Sequence, residues 1–262
     1  MDRREPTEDQ VAIARSFVEA RRAGAALAVY PGSPPLTLSD AYLIQDAAIR
    51  LDGRTIVGWK VGRINPPREG ADRLAGPIFA DQVFLDDETA MPVIADGFAA
   101  AEAEFVLRVG TAPDPTKRNY TLDEARALID AVHVGIEIAS SPFPGINAGG
   151  AAVTISDFGN NNGLLVGVEA EGWREADINS WRVELSIDGV PIGDATAATM
   201  LDGPFGAARF LFEHLAARGI AVEAGQWISS GAVTGVHEVT VGQRVAARFD
   251  GRVAIGCTIK AQ

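Results

Sequence analysis

Apolar positions recur at helical spacing near the start of the chain and at strand spacing through most of the rest. Thr7 opens a capping box with Gln10, and Val11, Ala14, Phe17, Val18 and Arg21 follow at helical spacing until Gly24, which predicts a first helix. A second is predicted from Ser39 through "AYLIQDAAIRL" to Gly53. At "TIVGWKVG", residues 55–62, the period drops to two and a strand is expected. The Pro-, Arg- and Gly-rich "RINPPREGADRLAGP" reads as a loop before the short apolar "IFADQVFL". A capping box at Thr121 and Glu124 predicts one further helix, and "PFGAARFLFEHLAARG", with Pro204 near its start and Gly219 just past its end, predicts another. Hairpins are expected at Asp188-Gly189 and Asp250-Gly251. Helices and strands do not alternate as βαβ units require. The expected fold is α+β: a mixed, largely antiparallel β-roll or sandwich with an N-terminal helical lobe, divided into an α/β lobe over residues 1–85 and a β-rich domain over 86–262.

Charge interrupts two of the apolar strands. In "AAAEAEFVLRVG", residues 99–110, Glu102 and Glu104 are two apart, so both carboxylates leave the same face. Glu137 stands alone between Ile136 and Ile138 in "VGIEIASS". Three acids on apolar strands are costly unless the face is wet, as on an edge strand, or a cation neutralises them. Oxygen ligands with no cysteine partner select a hard ion, Mg²⁺, Mn²⁺ or Ca²⁺, over structural zinc. Lys60 is flanked on its own face by Gly58 and Gly62, which reads either as a surface cleared for a ligand or as an ordinary surface lysine beside turn glycines. Asp81 is a lone acid in "IFADQVF", and "SDFGNNNG", residues 156–163, is a polar, turn-prone stretch holding Asp157 and Asn161.

The 262 residues, 47% hydrophobic and 22% charged, support one large or two small domains. A net charge of −12 disfavours non-specific nucleic-acid and anionic-membrane partners, and an anionic substrate would need a local cation. The start "MDRREPTEDQ" has no apolar leader region and no run reaches the length of a membrane span, so a cytoplasmic location is expected. The single cysteine, Cys257, excludes an intramolecular disulfide and is expected in the core.

Taken in order, "GWKVG", "GPIFADQVF", "AEAEFVLRVG", "GIEIASS", "ISDFGNNNGLLVG" and "SSGAVTGV" resemble the 2-keto-4-pentenoate hydratase group of the fumarylacetoacetate hydrolase superfamily, from about residue 36 to the C-terminus. The resemblance implies a rolled mixed sheet and one Mg²⁺ or Mn²⁺ held by Glu102, Glu104 and Glu137. It assigns Lys60 to the C1 carboxylate or C2 oxygen of a 2-oxo acid and Asp81 to general acid/base catalysis, and it extends substrate contacts to Asp157, Asn161 and Thr234. The implied reaction adds water at C4 of a 2-hydroxy-2,4-dienoate to give a 4-hydroxy-2-oxo acid in aromatic-compound catabolism, in a homodimer or larger homo-oligomer that can associate with a related pathway enzyme.

The far end of the substrate is less conventional. The text after the lysine motif is Arg63, Ile64 and Asn65, and Gly203 in "LDGP" stands where the group often has histidine. Both are expected at the distal part of the pocket, and Arg63 reads either as a partner for a second carboxylate, if the chain turns after Gly62, or as a solvated loop arginine. His133, His214 and His237 are read as bystanders, the first in the core and the other two at surface or loop positions. Two alternatives to hydration are a C–C bond-cleaving enzyme, of oxalocrotonate decarboxylase or acylpyruvate hydrolase type, and a non-catalytic metal-binding partner subunit. The N-terminal lobe shows no His-Glu pair to activate a hydrolytic water, and a scaffold has no need of Lys60 and Asp81.

Overall fold

A computed structural model of the chain describes residues 4–85 and 87–262; residues 1–3 and 86, the latter at the expected domain boundary, lie outside the described residues. Thr7 and Gln10 close the expected capping box, and α1 (Glu8–Ala23) ends on left-handed Gly24. α2 (Leu38–Asp52) is capped by Thr37 rather than started by Ser39, because the Thr37 hydroxyl accepts the Asp40 amide. The two helices meet through Ile13, Ala14, Phe17, Ile44, Ala47 and Ala48.

The stretch expected to be a loop is a long hairpin. β1 (Ile56–Arg68) and β2 (Ala71–Phe79) are antiparallel and turn at Glu69-Gly70, both at positive φ. The ladder breaks between Arg63 and Arg68, where Pro66 and Pro67 have no amide hydrogen to contribute. The sequence hid the hairpin because prolines and glycines read locally as breakers, whereas an interrupted ladder tolerates them.

Along the chain follow β3 (Val83–Phe84), β4 (Thr89–Val93), β5 (Phe98–Val109), α3 (Leu122–Ala127), β6 (Ile129–Ser141), α4 (Ala151–Ser156), β7 (Asn161–Glu169), β8 (Arg182–Ile187), β9 (Val190–Thr196), α5 (Gly203–Arg218), β10 (Trp227–Ser229), β11 (His237–Glu238), β12 (Arg244–Phe249) and β13 (Val253–Ala261). They form an eight-stranded sheet, β2-β1-β10-β5-β6-β7-β3 with β11 beside β5, and a five-stranded sheet, β4-β13-β12-β8-β9. The pairs β1–β10, β3–β7 and β4–β13 are parallel and the others antiparallel. Both Asp-Gly hairpins turn where expected, with Asp188, Gly189, Asp250 and Gly251 all at positive φ. β1, β2 and β3, ahead of residue 86, share the large sheet with β5, β6 and β7 beyond it, whereas β4, the first strand after residue 86, joins the second sheet.

Strand alternation then separates core from chemistry. Ala103, Phe105 and Leu107 of β5 and Ile136 and Ile138 of β6 face the second sheet, where the Phe105 ring lies 5.4 Å from Phe249 and 6.0 Å from Trp181. The even-numbered face of β5 carries Ala100 toward the helices and Val106 against Ile78, Leu164 and Val166. Glu102 and Glu104 lie between these two apolar patches.

Arg21, which fits the apolar spacing of α1, is buried for a polar reason. Its guanidinium donates to both Asp157 carboxylate oxygens, at 2.5 and 2.9 Å, to the Asn161 and Ser140 carbonyls and to Asn162 Oδ1. It ties the first helix to the polar turn ahead of β7. Arg21→Met would leave Asp157 buried without its cation, and loss of one partner from such a pair costs about 3–5 kcal/mol. The expected result is that loss in urea unfolding, against less than about 0.5 kcal/mol for the exposed Arg15→Met.

Candidate metal centre

β5 and β6 are interior strands, so the carboxylates do not sit on a wet edge. Glu102 pairs directly across from Glu137, and Glu104 from Gly135. One oxygen from each of Glu102, Glu104 and Glu137 lies within 4.8 Å of the others, and all three residues are buried. That spread matches oxygens around one divalent ion, with ligand distances of about 2.0–2.6 Å.

Neighbouring strands hold the acids in place. Gly231 N–H donates to Glu104 Oε2 at 3.0 Å, Asn161 Nδ2 to Glu137 Oε1 at 3.0 Å, and the Ser229 hydroxyl lies against both Glu104 Oε2 and Glu137 Oε2. Ser229 has one proton for two carboxylates. Lys60 Nζ is 3.2 Å from Glu137 Oε1 and 3.5 Å from Asn160 Oδ1. Burial pushes the Glu102 carboxyl up to about 7 although Lys60 opposes the shift, and burial together with Glu137 and Glu102 holds Glu104 well above the carboxylate range. Burial alone would discharge Lys60, yet the three glutamates outweigh it and keep the ammonium.

A divalent ion fits this set. Among the described residues Glu104 Oε1 is buried without any hydrogen-bond partner, as is Oδ1 of Asn161, whose Nδ2 donates to Glu137. Three carboxylates and one ammonium sum to −2, which one divalent cation cancels. All-oxygen donors favour Mg²⁺, Mn²⁺ or Ca²⁺.

A cavity of about 850 Å³ reaches Lys60 and Glu102. It opens because β1 and β10 stay paired only from Gly58–Trp227 to Lys60–Ser229, after which the two chains part. Asn160, Ser230 and Thr234 stand in its walls, with Val61, Ile64 and Leu74 supplying apolar surface. Thr234 also contacts His237 Nε2 through its carbonyl and hydroxyl.

Several expected site residues lie elsewhere. β2 ends at Phe79 and the chain enters a 3-10 turn, so Asp81 leaves the strand alternation. Its side chain is 62% exposed, and Arg54 Nη1 contacts both of its oxygens at 3.1 Å. It borders a separate cavity of about 320 Å³ with Arg22 and Arg54, and is not brought to the glutamates. Asp157 is consumed by Arg21 and does not line the larger cavity. Asn161 orients Glu137 and also stays out of the cavity; Asn160 takes that place.

The glycines beside Lys60 serve protein rather than ligand. A Cβ on Gly58 would strike the Trp227 backbone at 2.5 Å, and one on Gly62 would press Leu74 at 3.1 Å. Room for the lysine stem comes from left-handed Gly159, where a Cβ would sit 3.2 Å from Lys60 Cδ. Phe158, Gly159 and Asn160 are consecutively at positive φ, which breaks the strand parity on which a sequence reading depends and directs Asn160 into the cavity. Gly203 lines the cavity, but its φ of +65° and the Asn179 amide against it leave no space for a side chain. His133, expected in the core, is half-buried with its ring against Trp227, whereas His214 is stacked on Phe210 rather than in a loop. Ser229, Ser230, Asn160 and Arg73 were not singled out; the two serines are visible only as part of "SSGAVTGV", and their roles depend on where β10 ends.

No family model matches the chain. It is 26% identical over 212 residues to 2-oxo-hept-4-ene-1,7-dioate hydratase of Escherichia coli, covering 77% of this chain and 79% of that one. It is also 26% identical over 247 residues to 2-keto-4-pentenoate hydratase of Paraburkholderia xenovorans, covering 91% and 90%. In fold it superposes on 4-oxalocrotonate decarboxylase from Pseudomonas putida G7, a structure complexed with magnesium and adipate, with a TM-score of 0.80 at 20% identity over 98% of this chain and all of that one. The chain is a relative of the 2-keto-4-pentenoate hydratase group and has the fold of the fumarylacetoacetate hydrolase superfamily.

Proposed function

We propose that this protein is a metal-dependent hydratase that adds water to a 2-hydroxy-2,4-dienoate, giving a 4-hydroxy-2-oxo acid. The observation that carries the reading is the trio Glu102, Glu104 and Glu137 with Lys60 against Glu137, set beside a cavity with apolar walls. The hydratase relatives agree with it. Glu102, Glu104 and Glu137 would hold Mg²⁺ or Mn²⁺, which would supply a Lewis acid for the C2 oxygen. Lys60 donates to the substrate's C1 carboxylate or C2 oxygen, and its ammonium is the proton source nearest that end. Ser230, whose buried hydroxyl has no hydrogen-bond partner among the described residues, orients the incoming water. Thr234 borders the tail, while Asp81, Asp157 and Asn161 make no substrate contact. Val61, Ile64 and Leu74 keep bulk water from the dienol.

The reading includes a place in aromatic-compound catabolism, a cytoplasmic location, and assembly as a homodimer or larger homo-oligomer that can dock a related pathway enzyme. Among the described residues, no helix is long and apolar enough to cross a membrane.

The test is an absorbance assay on 2-hydroxypenta-2,4-dienoate and oxalocrotonate, with Mg²⁺ and with chelator, followed by product identification. The expected result is Mg²⁺-dependent loss of dienoate absorbance with a 4-hydroxy-2-oxo acid as product. Release of CO₂ from oxalocrotonate without hydrated product would replace this reading with decarboxylation.

A further inference from the structure

We propose that Arg63 and Arg73 form a subsite for a second carboxylate, which makes a dicarboxylic 2-oxo acid the preferred ligand of the cavity. This rests on the 2-oxo-acid reading above and adds the substrate class. The two residues are direct partners in the β1–β2 ladder, so their side chains leave the same face of neighbouring strands. Like charges placed directly opposite are unfavourable without an anion between them. Both residues line the cavity that also contains Lys60 and Glu102.

Arg63 lies on the opposite face of β1 from Lys60, and the strand does not turn after Gly62. Access comes instead from the unpaired edge of β1 beyond Lys60, along which the cavity runs and which residues of both faces border. Arg63 is three residues past Lys60, about 10 Å along the strand. Extended diacids of about six or seven carbons, together with the reach of the two side chains, bridge such a gap.

Charge at this end of the cavity supports the same assignment. Arg73 is buried and fixed, donating to the Leu201 carbonyl and lying 3.3 Å from Asp72 Oδ1. Arg68 pairs with Glu69 and Arg209 with Asp202. Arg63 is exposed and has no ion pair or hydrogen bond with any described residue. The metal end is already balanced by Lys60 and a divalent ion, so it has no cation to spare for a second carboxylate. Arg63 does, with Arg73 as its rigid neighbour.

Calorimetry on the intact Mg²⁺-loaded protein with 2-oxoadipate and 2-oxohexanoate, neither of which can be hydrated, separates this subsite from catalysis. The wild type is expected to bind the diacid about tenfold tighter or more, from one charge-assisted contact. Arg63→Leu is expected to bring the ratio of the two dissociation constants close to one, and Arg63→Lys to retain part of it, because a point charge replaces the planar fork. A ratio that is the same in Arg63→Leu and wild type overturns the subsite and leaves the 2-oxo-acid reading standing. Absence of Mg²⁺-dependent binding by either acid overturns that reading and the subsite with it.

Discussion

Glu137→Gln is expected to abolish tight Mg²⁺ binding and to lower metal-dependent turnover at least about 100-fold, more than the loss of a residue behind a metal ligand. Glu137 accepts from Asn161, lies against Ser229 and is the nearest acid to Lys60. An amide of the same shape removes a ligand charge, while its oxygen can still accept from Asn161 and Lys60 and its NH₂ can donate to the Ser229 hydroxyl, whose own proton then goes to Glu104. The metal-free fold should survive, since the substitution is isosteric and relieves repulsion among three buried acids. Calorimetric titration of Mg²⁺ checks this, and an affinity within about twofold of wild type would sink the ligand assignment.

The same centre sets a pH dependence. Glu102 rises from 4.5 to about 7 in the folded, metal-free protein. A carboxyl whose folded pKa is raised contributes stability below its unfolded value and loses it as pH rises through the folded one. Metal binding must expel that proton. The rise in Tm produced by Mg²⁺ is therefore expected to grow from pH 5.5 to 8, opposite in sign to the trend of the metal-free protein, and to be absent in Glu137→Gln at either pH.

Lys60→Met has the second large effect. Lys60 is buried and is the cation in contact with the glutamate cluster. Methionine fills the stem's channel beside Gly159 but brings no charge. All three metal ligands remain, so Mg²⁺ binding should persist. Oxalate, a planar mimic of the 2-oxo-acid end, loses its ammonium partner, and a hydrogen bond to a charged group of about 1.5–3 kcal/mol corresponds to roughly 10- to 150-fold weaker binding. Turnover should fall by at least as much, because the same proton donor is lost. Unchanged oxalate affinity in the Mg²⁺-loaded variant would remove Lys60 from the site.

What local chemistry controls was legible in the chain. Capping at Thr7 and Thr121, left-handed turns at the Asp-Gly pairs, and the helix between Pro204 and Gly219 depend on residues a few positions apart. The carboxylate trio was legible for a related reason: period-two alternation puts Glu102 and Glu104 on one face whatever the strand pairs with, and a lone Glu137 among isoleucines is anomalous anywhere in an apolar strand.

Alternation failed wherever the chain left the ladder. Asp81 swings out two residues past the end of a regular strand, and Asn160 replaces Asn161 in the cavity because three successive left-handed residues cancel the parity count. Asp157 could be recognised as buried chemistry only by finding Arg21 at a separation of 136 residues. The hairpin around Pro66 and Pro67 depends on a partner strand that tolerates a gap in its hydrogen bonds. The sequence by itself therefore determined the main helices, the central strands, the carboxylate trio and the α+β class, because each follows from spacing within a segment. Tertiary structure alone decided which strands were interior, where β1 parts from β10 to open the cavity, and which charged groups have partners, since those follow from contacts between segments that no local period encodes.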